Sequence, residues 1–183
     1  MTPAEQLTDW VMHRHQGQLI RKTNDPYFYH LFAVAEMAGP LTRLGYEIGL
    51  CHDLLEDTPT TAKDLLQALI NFGYTGEEAG YITGCVVELT EVFTLALYPA
   101  LSKKERREKE AARLAAISPG AQTVKYADLL YNIGWVLQYT PKKAKKYLKR
   151  KERLVSRMIN GDAGLRHQTL ETIRQALATF AGK

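Results

Sequence analysis

The chain has 183 residues, 45% hydrophobic and 24% charged, with a formal net charge of +4. That length suits one domain with its own core, and that composition excludes a disordered or fibrous protein. Apolar runs of a few residues fall far short of the roughly 20 that a membrane span needs, and the N-terminus MTPAEQLTDW lacks a basic-then-apolar leader pattern.

Period-3.6 patterns recur and sustained alternation is missing, so the expected class is all-α. A first helix is expected over about 3–20, with Leu7, Trp10, Val11 and His15 on one face. Asp25-Pro26 breaks the chain. YHLFAVAEMA restarts a helix, Gly39-Pro40 disturbs it, and Gly45 ends the segment. A third helix is expected over about 46–57. Thr61 with Asp64 is a capping pattern for the next helix, and Gly73 closes it. EEAGYITGCVVELT reads as a helix, 92–101 as a loop, and about 102–117 as a long helix. Ser118-Pro119 starts SPGAQTVKYADLLYNIGWVLQY. Pro141 opens a further helix that Gly161 ends, and GLRHQTLETIRQALATFA is the last. With no repeat or low-complexity linker, residues 1–183 are expected to form a single helical-bundle domain.

The two cysteines, Cys51 and Cys85, fit neither a metal-binding spacing nor a disulfide framework. They are expected as reduced, buried thiols of a cytoplasmic protein. Most basic residues fall in SKKERREKEAAR (102–113) and PKKAKKYLKRKERLVSR (141–157). These are either solvated helix faces or an anion-binding rim. No nucleic-acid-binding motif accompanies them, and a small polyphosphate suits such a rim.

CHDLLEDT (51–58) sets His52, Asp53, Glu56 and Asp57 beside apolar Leu50, Cys51, Leu54 and Leu55. On one continuous helix, residues four apart share a face, so His52 would lie below Glu56 and Asp53 below Asp57. Carboxylates so placed repel, more strongly when desolvated, and a nearby cation would remove that penalty. His30 in YFYHLFAVAEM and Asp128 in VKYADLLYNIGWV are also polar residues within apolar helices. Each alone matches a hydrogen-bonded core group. With His52 and Asp53 they supply two imidazoles and two carboxylates, a donor set for Mn²⁺, Fe²⁺ or Zn²⁺ inside a helical bundle.

The His52-Asp53 pair with distant His30 and Asp128 resembles the HD-domain metal-dependent phosphohydrolases. RKTNDPYFYH (21–30), CHDLLEDT (51–58), SPGAQTVKYADLLYNI (118–133) and KYLKRKE (146–152) occur in the order seen in the RelA/SpoT hydrolase domain. The match is nearest to its single-domain small alarmone hydrolases and covers about residues 5–160. The resemblance implies Mn²⁺ ligands at His30, His52, Asp53 and Asp128. It assigns Glu56 and Asp57 to the attacking water and the phosphate, and Arg21 and Lys22 to the guanine nucleotide. Asn132 would contact the ribose and Tyr147 would line the nucleotide pocket, with the Arg-rich stretch 103–107 reaching toward the pyrophosphate. The implied reaction is hydrolysis of the 3′-pyrophosphate of (p)ppGpp to GDP or GTP and pyrophosphate.

Taken singly, these residues have plainer roles: Arg21-Lys22 closing the first helix, Asn132 as a core amide, Tyr147 as a half-buried aromatic. The family's Ser-Gly-Glu before Pro-Tyr is Thr23-Asn24-Asp25 here, Leu130-Tyr131 stands where many members have Leu-His, and Leu129 where they have a basic residue. An adenine alarmone such as ppApp, or NADPH, therefore stays open as substrate. So does an antitoxin role beside a synthetase toxin. No synthetase domain is expected within the chain, and neither the oligomeric state nor the cellular metal is fixed by the residues.

Overall fold

The computed structural model describes residues 1–180, so the end of the last expected helix, at Ala181, lies outside the described residues. Among the described residues all regular structure is helical. In chain order these are α1 (Pro3–Arg14), α2 (Phe28–Ala38), α3 (Gly45–Cys51), α4 (Leu54–Asp57) and α5 (Ala62–Phe72). They continue with α6 (Gly76–Leu89), α7 (Lys103–Leu114), α8 (Pro119–Tyr139), α9 (Pro141–Arg157) and α10 (Ala163–Ala178). None of these helices is long and apolar enough to cross a membrane.

Local chemistry sets most helix starts. The side chains of Thr2, Thr61, Thr75 and Ser102 each accept a bond from the backbone N–H three residues on, and the carboxylates of Glu5, Asp64, Glu78 and Glu105 accept one from the capping residue's own N–H. These reciprocal boxes satisfy donors that a helix N-terminus otherwise leaves open. Gly73, at φ 101°, ends α5 as expected.

The chain forms two compact units, the first Met1–Glu91 and the second beginning at Val92. In the first, Leu7, Val11, Leu31, Val34, Ile48, Leu50, Leu65, Leu69 and Ile82 are fully buried. Cys51 and Cys85 are buried within it, as expected. α2 and α3 approach closely because Gly49 has no side chain; a Cβ there would lie 2.6 Å from Ala35 Cα. In the second, Tyr126, Leu129, Ile133 and Leu148 are buried. Buried Gln122 ties that core to its loops, donating to the Ala115 carbonyl at 3.1 Å and accepting from the Asn160 amide at 2.8 Å.

Three boundaries differ from the sequence expectation. α1 stops at Arg14, because the chain turns at Gly17 (φ 82°) into a narrow loop. That loop is closed by Tyr27 N–H to Gln18 O at 2.9 Å and Ile20 N–H to Asp25 O at 2.8 Å. Arg21 and Lys22 therefore sit at a loop tip rather than closing a helix. Gly45 begins α3 instead of ending a segment, with Leu44 before it in the left-handed region. The expected helix over 46–57 is two helices, interrupted at His52-Asp53, where Asp53 adopts φ −103° and ψ 1°. The stacking expected from a continuous helix is therefore not what arranges these side chains.

Two stability effects follow. Gly49→Ala drives a methyl group into backbone, and overpacking of this kind costs about 1–3 kcal/mol. Chemical denaturation should show that loss, and an unchanged midpoint would mean that α2 and α3 separate freely. Asn24, at φ 62°, is a residue type that tolerates the left-handed region. Asn24→Val should cost about 1–3 kcal/mol and Asn24→Gly little or nothing, read from the same transition. Equal behaviour of the two variants would show that the loop does not require this angle.

Candidate metal centre

His30 lies in the first turn of α2, and His52 and Asp53 form the break between α3 and α4. Both imidazoles are buried, while Asp53 is partly open. His30 Nε2 and His52 Nε2 are 3.2 Å apart, and Asp53 Oδ2 lies 3.1 Å from His52 Nε2 and 3.6 Å from His30 Nε2. Donors at about 2.0–2.2 Å from one shared cation are separated by about 3.0–3.6 Å, so the three fit a common ion.

The surroundings support that use. His52 Nδ1 is 2.6 Å from the Gly49 carbonyl, which only accepts, so Nδ1 carries the proton and Nε2 turns its lone pair to the cluster. The Tyr27 hydroxyl donates to Asp53 Oδ2 at 2.6 Å, orienting the carboxylate without neutralising it. Tyr27 is the residue that sequence inspection missed. Its signal was its position three residues before His30, one helical turn away.

Glu56 and Asp57 are exposed on the short α4. Glu56 Oε1 accepts the backbone N–H of Glu91. The Asp57 carboxyl is raised above the ordinary carboxylate range, first by desolvation and then by the Asp53 charge, while a Tyr27 hydrogen bond opposes the rise. The Gln18 amide donates to the Asp57 carbonyl at 2.6 Å.

Arg21 and Lys22, at the loop tip, belong to the first unit, and Asp128, Asn132 and Tyr147 to the second. Asp128 is buried on α8, with Lys125 Nζ 2.8 Å from Oδ2 and the Asn132 amide donating to Oδ1. Lys125 was not singled out from sequence, although it lies one turn before Asp128. Tyr147 on α9 has Arg150 and Lys151 over its ring, at 5.6 and 5.4 Å from the centroid. Burial first, and then the Asp128 charge, push its hydroxyl far up, so it stays protonated. The Arg150 guanidinium is lowered by burial and by the neighbouring Arg107 charge.

No family model matches the chain. It is 30% identical over 141 residues to the mouse guanosine-3′,5′-bis(diphosphate) 3′-pyrophosphohydrolase MESH1, covering 74% of this chain and 70% of the relative. Identity and coverage are the same for the human MESH1 protein. A GTP pyrophosphokinase from Myxococcus xanthus is 30% identical over 124 residues, which span 65% of this chain but 15% of that protein. Among solved structures, the protein described as a metazoan ortholog of SpoT that hydrolyzes ppGpp aligns over 96% of each chain, with a TM-score of 0.76 and 22% identity. That likeness shows the fold. Sequence similarity across most of both chains shows the descent: this chain belongs to the MESH1-type family of HD-domain hydrolases.

Proposed function

We propose that the chain is a Mn²⁺-dependent hydrolase that removes the 3′-pyrophosphate of ppGpp and pppGpp, yielding GDP or GTP and pyrophosphate. The observation that carries this reading is the convergence of His30, His52 and Asp53 in a member of the MESH1-type family. Residues 1–183 act as one HD-type domain, and the enzyme works in the cytoplasm on a small nucleotide, without nucleic acid or membrane as partner. By the motif resemblance, Asp128 would be a further ligand, and Asn132 and Tyr147 nucleotide contacts.

A divalent cation held by these ligands would polarise a phosphate oxygen and make water a better nucleophile near neutral pH. The chain's own groups do the rest. Tyr27 and the Gly49 carbonyl hold Asp53 and His52 in their binding orientations. The raised carboxyl of Asp57 is suited to take a proton from the attacking water. Glu56, restrained by the Glu91 amide, orients that water. The water oxygen bonds to the phosphorus attached to the 3′ oxygen as the bond between them breaks, and the proton held by Asp57 passes to the 3′ oxygen, which leaves as the 3′-hydroxyl while pyrophosphate is released. Arg21 and Lys22 contact the base, and Arg107 and Arg150 supply cationic groups for phosphate oxygens.

The test is incubation with Mn²⁺ and ppGpp, pppGpp, ppApp or NADPH, with products resolved by ion exchange. Turnover should be greatest on the guanosine alarmones, stop on chelation and return with Mn²⁺. Asp53→Ala should lose both Mn²⁺ binding, measured by calorimetry, and turnover. Full activity of metal-stripped protein would sink the reading, and faster turnover of ppApp or NADPH would reassign the substrate.

The acidic pair should behave differently. Asp57→Asn and Glu56→Gln should keep Mn²⁺ bound while turnover falls by about 10²–10⁴-fold, the usual scale for lost acid–base assistance. Loss of the ion in either variant would make that residue a ligand instead.

A further inference from the structure

His15, at the end of α1, is buried with 2% of its surface exposed. Its Nδ1 lies 2.7 Å from Gln18 Oε1, so the ring donates to an amide oxygen. Its Nε2 is buried and has no hydrogen-bond partner among the described residues. Burying an unpartnered polar atom is costly, and a purely apolar side chain would fill the same volume without that cost. Something other than core packing must account for an imidazole here.

Two contacts lead from this ring toward the centre. Its face stacks on Tyr27, with centroids 5.8 Å apart and planes 29° apart, and the Tyr27 hydroxyl donates to Asp53 Oδ2 at 2.6 Å. Its Nδ1–H fixes the Gln18 oxygen, which turns the Gln18 nitrogen to the Asp57 carbonyl at 2.6 Å. One ring thus supports a contact to the carboxylate of the metal cluster and another to the residue that handles the proton. Burial depresses the imidazole pKa, while the Asp57 and Asp53 charges oppose the shift, so a neutral ring is favoured.

We propose that His15 is a positioning residue: through its ring and Tyr27 it sets Asp53 for cation binding, and through its Nδ1–H and Gln18 it sets Asp57 for turnover. The inference rests on reading His30, His52 and Asp53 as a metal centre. It predicts that the two functions separate by substitution.

The test uses the full chain, with Mn²⁺ affinity from calorimetry or EPR titration and kcat on ppGpp at saturating Mn²⁺. His15→Asn keeps a donor near the Nδ1 position but removes the ring. It should weaken Mn²⁺ binding by about 10–100-fold, as the loss of groups supporting a ligand does. His15→Phe keeps the ring but removes the donor. It should hold Mn²⁺ affinity much nearer wild type and lower kcat by about 10–100-fold, the scale of a misplaced catalytic group. Tyr27→Phe should reproduce the first pattern and Gln18→Leu the second, so the result stands even if a His15 variant fails to fold. Equal losses of affinity and kcat in both members of each pair, or no change in either quantity, would overturn the positioning role. Failure of the wild-type chain to bind Mn²⁺ would overturn the underlying metal-centre reading instead.

Discussion

The hydrogen bond from His52 Nδ1 to the Gly49 carbonyl is the constraint on which the first unit's chemistry depends. It fixes the ring's tautomer and aims Nε2 at His30 and Asp53. It also ties the site to the core, because Gly49 is where α3 lies against the α2 backbone. Two helices pack closely since one residue has no side chain, and the carbonyl of that residue anchors the His52 ring. Asp53, within the break, leaves helical geometry and so brings its carboxylate to the two imidazoles.

The fold class was legible because it depends on period and caps, and those are local. Thr61 with Asp64, Gly73, Ser118-Pro119 and Pro141 mark boundaries that the structure keeps. The extent of α1 and the break at His52-Asp53 were not legible. At both places the chain departs from a helix although its apolar pattern continues, and hydrogen bonds outside the regular helical ladder hold the alternative: Tyr27 N–H to Gln18 O across the loop after α1 in one case, the His52 side-chain Nδ1 to Gly49 O in the other. The His-Asp pair drew attention as a pair of residue types, which sequence displays. Tyr27 reaches Asp53 and Gln18 reaches the Asp57 carbonyl across 26 and 39 positions, and His15 meets both Gln18 and Tyr27 only because the loop folds back; a single sequence does not display those contacts.

The second unit shows the same division between composition and arrangement. The basic character of α7 and α9 is plain from residue counts, yet counts cannot tell a solvated face from a binding rim. The structure adds the arrangement: the Arg107 charge acts on Arg150, and Arg150 and Lys151 lie over the Tyr147 ring. Asp128, held between Lys125 and Asn132, is stabilised as a carboxylate inside an apolar helix by partners one turn to either side.

The central claim is that His30 and His52 both give nitrogen to one divalent ion. Pulsed EPR of the Mn²⁺-loaded chain, with histidine labelled by ¹⁵N, reads this directly. The account predicts couplings from two directly bound imidazole nitrogens, falling to one in His30→Ala. A Mn²⁺ spectrum free of directly bound histidine nitrogen would contradict it.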